Sequence, residues 1–114
     1  MAEKKTFKGY PSKALLDEWK NKYGKIFQVV VPASTAPDAE QLFAILRKPN
    51  MSEMAVASSL NSQDKTLDAG NYILDNCKLA CSQEIETEDL VRASVAIAST
   101  KVFTFLPKAD LTEL

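Results

Sequence analysis

Leu42-Phe-Ala-Ile-Leu-Arg-Lys-Pro-Asn-Met-Ser-Glu53 is the stretch where this 114-residue chain turns from sheet to helix. Leu42 to Leu46 is apolar and compact, the signature of a mostly buried strand. Arg47 and Lys48 then place two charges in a row. Pro49 cannot donate to a sheet ladder and biases Lys48 toward extended geometry. Asn50 can accept a bond from the amides of the next helical turn, and Glu53, three residues on, can reach back with its carboxylate. That is a capping-box pattern with Asn in the cap position. The junction therefore predicts sheet before it and helices after it.

Working back toward the N-terminus, Lys25 to Val31 is rich in β-branched and aromatic residues and reads as a strand. Its alternation puts Phe27, Val29 and Val31 on one face and Ile26, Gln28 and Val30 on the other. Pro32 ends it, and residues 32–38 suit a turn or short loop. Residues 40–46 return as its antiparallel partner, giving a hairpin 25–31/40–46. Two strands alone are marginal in water, so helices are expected to cover one face. Before the hairpin, Ser12 can cap a helix running to Lys22. Leu15, Leu16, Trp19 and Tyr23 form its apolar stripe, and Gly24 stands where a terminating residue with positive φ is wanted. A lone Trp on such a stripe reads as core. Residues 1–9 carry Lys4, Lys5 and Lys8 around Phe7 and are expected to fray.

After the junction, residues 51–60 predict a short helix. Asp64 is a candidate cap for a longer one over residues 65–81, with Leu67, Leu74 and Cys81 on one face. Gly70 inside it weakens the helix by about 1 kcal/mol relative to Ala, which points to close packing against a neighbour. The acidic run 83–89 reads as a solvated loop plus a helix start capped by Thr87. It lacks the glycine and alternating oxygen ligands of a calcium loop. The last helix is expected over residues 88–100, with Val91, Val95 and Ala98 in its stripe. Lys101 to Leu106 alternates and reads as extended, either a third strand or a docking arm. Pro107 closes it, leaving a weakly amphipathic tail over 107–114. The fold class is α+β: a small antiparallel sheet packed against three to four helices in a single domain 1–114.

Composition narrows the chemistry. The net charge is −1 with acids and bases intermixed, so a broad basic face for nucleic acid is disfavoured. No segment approaches the ~20 consecutive apolar residues of a spanning helix, and the N-terminus has no apolar run after its basic start, so neither a membrane anchor nor a secretory signal is expected. Cys77 and Cys81 are expected as free thiols in a reducing cytoplasm. A metal shared by them needs two further ligands that the sequence does not place. Histidine is absent, which removes the commonest general base and metal ligand together. The three glycines are scattered, so no phosphate-binding loop exists, and no nucleophile sits in an elbow or beside an obvious base. No catalytic residue, cofactor or metal is expected, and the chain does not read as an enzyme.

The order of these signals carries a resemblance. A charged helix ending in Lys22-Tyr-Gly-Lys25 leads through an apolar strand into Phe43-Ala-Ile-Leu-Arg-Lys-Pro-Asn50. Met51-Ser-Glu53 opens a helix, and a later helix carries Tyr72-Ile-Leu-Asp-Asn-Cys77 before an acidic loop. Over roughly residues 15–98 this resembles small proteins of tailed phages and is similar in layout to tail assembly chaperones. Residues 102–106 depart from that layout. The resemblance implies a non-enzymatic binder in the host cytoplasm that keeps a tape-measure or tail-tube protein soluble before assembly. A groove or strand edge would do the binding. Val102, Phe103, Phe105 and Leu106 are the candidate partner-binding residues. The alternatives are a small structural virion protein, a connector or decoration subunit forming a symmetric homo-oligomer, and a regulator of a host protein.

Overall fold

The computed structural model describes residues 7–114. In chain order these form α1 (Lys13–Tyr23), β1 (Ile26–Pro32), β2 (Gln41–Arg47), α2 (Met51–Ser62), α3 (Thr66–Cys77), β3 (Lys78–Cys81), α4 (Gln83–Thr87) and α5 (Asp89–Ser99), followed by a 3-10 segment, Thr100–Phe105. The fold is α+β, built on a three-stranded antiparallel sheet in the order β1-β2-β3. The hairpin falls one residue later at both ends of each strand than its sequence pattern marks.

The β2–α2 junction forms as its residues dictate. Asn50 Oδ1 accepts from Glu53 N at 2.8 Å, and Glu53 Oε1 accepts from Asn50 N at 2.9 Å, so both halves of the capping box are made. Ser12 likewise caps α1 through Leu15 N. Gly24 ends α1 at φ 84°, ψ −77°, a backbone conformation essentially closed to other residues.

The sheet is covered on both faces, where one was expected. Phe27, Val29, Val31, Leu42, Ala44 and Leu46 face α2–α5 and form the main core with Ile73, Leu74, Ile85 and Val95. Phe43 and Ile45 point the other way, into a smaller cluster with Phe7, Tyr10, Leu16 and Trp19. β2 is therefore buried on both sides, which explains its unbroken apolar run. Phe7, assigned to a fraying N-terminus, is instead buried and packs its ring at a tilt against those of Tyr10 and Phe43, with centroids 5.3 and 5.7 Å away. Residues 1–6, expected to fray with it, lie outside the described residues.

Close packing at Gly70 is confirmed. A Cβ placed there would lie 1.8 Å from the carbonyl oxygen of Ala96, so only a bare Cα lets α3 meet α5 at this crossing.

Four expectations are corrected. The helix predicted over 65–81 stops at Cys77, and residues 78–81 become β3. The outer edge of β2 needs partners, and pairing there (Ala44 with Cys81, Ile45 with Ala80) outweighs the local helical pattern. Residues 101–106 are not the third strand. That place in the sheet is taken by β3, and the chain winds on from α5 with Thr100 Oγ1 and Thr104 Oγ1 bonding back to the carbonyls of Ile97 and Lys101. Asp64 does not cap α3. It takes φ 61° in the turn that ends α2, which a short polar side chain tolerates. Thr87 does not cap α5, because it is the last residue of α4, a short helix that buries Ile85 within the acidic run. Residues 107–114 have no regular structure, and Leu111 and Leu114 are exposed.

Candidate partner-binding site

The C-terminal end of α5 decides where the four candidate residues go. Ser99 Oγ donates to Val95 O, and the 3-10 segment then packs against α5 and α3 and sets Phe105 on Phe27 of β1. Val102 and Phe103 are half-buried against the main core. The ring of Phe105 packs on that of Phe27 with centroids 5.1 Å apart, yet Phe105 remains 60% exposed and Leu106 48% exposed. The segment thus divides: Val102 and Phe103 anchor it, while Phe105 and Leu106 present apolar surface to solvent.

Beside them lies a hollow of about 360 Å³. Its walls are Phe27, Pro49, Met54, Val102, Phe105 and Leu106, and its charged lining residues are Lys25 and Lys48. A second hollow of about 310 Å³ runs along β1 under Ala98 and Ser99 and shares Phe27, Val102 and Phe105. Phe105 therefore borders both. Phe103 lines neither and belongs to the core. Phe27, Pro49 and Met54 were not picked out from sequence, because each reads as core or turn until the 3-10 segment closes over them.

The densest polar cluster among the described residues lies under the β2–α2 junction. Glu53 is 7% exposed and receives both guanidinium nitrogens of Arg47, at 2.8 and 2.7 Å, in addition to the Asn50 amide. Arg47 also donates to the carbonyls of Lys48 and Asn76, tying β2 to the end of α3. The Arg47 fork holds the Glu53 carboxyl below the usual carboxylate range, against the opposing effect of burial. Cys77 is buried with its Sγ 3.8 Å from Glu53 Oε1, and its thiol is pushed up to about 11, first by desolvation and then by the Glu53 charge. A thiol so placed stays protonated at neutral pH and is a poor nucleophile. Cys81 is separate, beside Glu86, and its thiol is also raised, mainly by burial. The two cysteines do not converge on one site. Among the described residues no group of three or more potential ligands gathers as a metal site, and no helix is long and apolar enough to cross a membrane.

Compared with protein families, with curated proteins and with solved structures, the chain matches no family model, no curated protein and no solved structure.

Proposed function

We propose that this protein is a non-enzymatic phage assembly factor of the tail-assembly-chaperone kind, which holds a tape-measure or tail-tube protein in the host cytoplasm before assembly. The observation that carries the reading is the apolar surface left by Phe105 and Leu106 over the hollow walled by Phe27, Pro49 and Met54. Other apolar side chains are as exposed (Met51, Leu90, Ile97), but Phe105 and Leu106 border a concavity, and apolar surface beside a concavity favours an apolar segment of another chain. Lys25 and Lys48 favour a segment flanked by acidic residues. The cluster at Glu53 serves structure in this reading, since its carboxylate is already consumed by Arg47 and Asn50.

A second reading, a small connector or decoration subunit in a symmetric oligomer, draws support from the open edge of β1 described below. Purification from infected cells separates the two. A chaperone is recovered with a tail protein and is missing from purified particles by mass spectrometry. A structural subunit is found in the particle at fixed copy number, which would overturn the first reading. Phe105→Asp with Leu106→Asp is expected to abolish recovery of the tail protein while leaving the domain folded.

A further inference from the structure

We propose that two copies of this chain pair through the outer edge of β1, antiparallel across a two-fold axis at Gln28, so that their sheets join into one. The ladder to β2 determines which groups face out. Lys48 N donates to Lys25 O at 3.2 Å and Ala33 N to Glu40 O at 2.8 Å, both in the register of the hairpin. Hydrogen-bonded pairs alternate along an antiparallel ladder, so Phe27, Val29 and Val31 bond inward to β2. Ile26, Gln28 and Val30 therefore turn their amides and carbonyls outward, and among the described residues no other strand pairs with them.

Natural sheets blunt such an edge with interior charges, a bulge, shortness or cover. The opposite edge of this sheet does so: β3 is four residues long, has a register shift, and hands over to Ser82, whose Oγ accepts from Phe43 N. β1 is seven residues long, regular in register, and free of charge from Ile26 to Pro32. It has the features of a strand kept for pairing.

Two features of the edge select a second copy as its occupant. The first is side-chain self-complementarity. In the register centred on Gln28, Ile26 of one copy stands opposite Val30 of the other, and the exposed Val30 gains an apolar cross-strand neighbour. The second is charge. Lys25 and Lys48 lie at the start of β1, whereas Glu40 pairs beside its end and Glu88 and Asp89 line a hollow with Pro32 and Ala33. Antiparallel pairing sets the basic end of one strand beside the acidic end of the other, while parallel pairing would oppose like charges. Pro32, with no amide to offer, ends the paired run.

This inference does not rest on the assembly-chaperone reading, which concerns the Phe105 and Leu106 surface. Analytical ultracentrifugation of the full chain tests it. The expected mass is twice 12.6 kDa at high concentration. Gln28→Pro removes an outward amide, and Val30→Lys puts a charge on the edge. Neither touches the inner ladder, so both are expected to keep the circular dichroism of the parent. Each is expected to raise the dimer dissociation constant by roughly tenfold or more, and added salt is expected to weaken the parent dimer. A parent chain that stays monomeric at every concentration overturns the proposal. So does a dimer indifferent to both substitutions, one that tightens with salt, or a chain that pairs only when another protein supplies the strand.

Discussion

The two borders of the hairpin differ in how far their polar groups are used. At the β2–α2 border, Arg47, Asn50 and Glu53 satisfy one another, and Arg47 reaches on to Asn76 at the end of α3. At the β1 border, the outward amides and carbonyls of Ile26, Gln28 and Val30 meet no other strand among the described residues, and the apolar surface of Phe105 lies close by. Both borders belong to the same hairpin. A fully paired polar cluster in this fold fastens elements to one another, whereas unused backbone hydrogen-bonding capacity beside apolar surface is what the proposed pairing with another chain would use.

Breaking the closed border is expected to cost the most. Arg47→Ala strips the buried Glu53 carboxylate of its charged partner and unties β2 from α3. Removing one member of a buried pair costs about 3–5 kcal/mol, and the partial exposure of Arg47 places this case near ~3 kcal/mol. Urea unfolding measures it. A loss below ~1 kcal/mol would show that water reaches Glu53 and that the border is not closed.

Gly70→Ala comes next. Alanine gains about 1 kcal/mol in helix propensity, but its Cβ meets the Ala96 backbone, and overpacking of that kind costs about 1–3 kcal/mol or more. A net loss of about 2 kcal/mol in thermal or urea unfolding is expected. A gain would mean that α3 and α5 part easily.

Titration sharpens the contrast through Glu53. Its folded carboxyl is held below the ordinary range, so the stability it contributes is fully present above the unfolded value of 4.5 and drains as pH falls through the lower folded value. Cys77 acts at the other end. Its raised thiol contributes stability that is complete below 9.0 and is lost as pH rises toward about 11. Unfolding free energy measured across pH should therefore fall on both sides of a broad neutral plateau. Glu53→Gln should flatten the acid limb and Cys77→Ala the alkaline limb.

How legible each border was in the sequence follows from the range of the forces involved. The partners of the Asn50–Glu53 box stand three positions apart, so its chemistry could be read directly, as could the register-setting alternation of β1. Gly70 announced a close neighbour without naming Ala96. What stayed hidden depended on distant pairing. Residues 78–81 carry an apolar spacing compatible with helix, and the unfilled edge of β2, more than thirty positions away in sequence, makes them strand. With β3 on that edge, residues 101–106 stay out of the sheet and continue α5 as a 3-10 turn. The candidate surface was half legible for the same reason. Val102, Phe103, Phe105 and Leu106 were visible as a group, but their division into two anchors and two exposed residues depends on Phe27 lying underneath.

That division supplies the smallest stability effect and the clearest separation of roles. Leu106→Asp replaces a side chain with about half its surface already in water and no hydrogen bond of its own to lose. Its cost to folding is expected to stay within ~0.5 kcal/mol, as for surface positions in general. Phe103→Asp, one turn earlier and packed on the core, is expected to cost several times as much, because it carries a charge into apolar surroundings. If both substitutions weaken capture of a partner but only Phe103→Asp lowers the unfolding midpoint, then Leu106 meets the partner and Phe103 only holds the segment in place. If Leu106→Asp unfolds the domain as readily as Phe103→Asp, the 3-10 segment is core throughout, and the apolar surface assigned to binding is the outer skin of the fold.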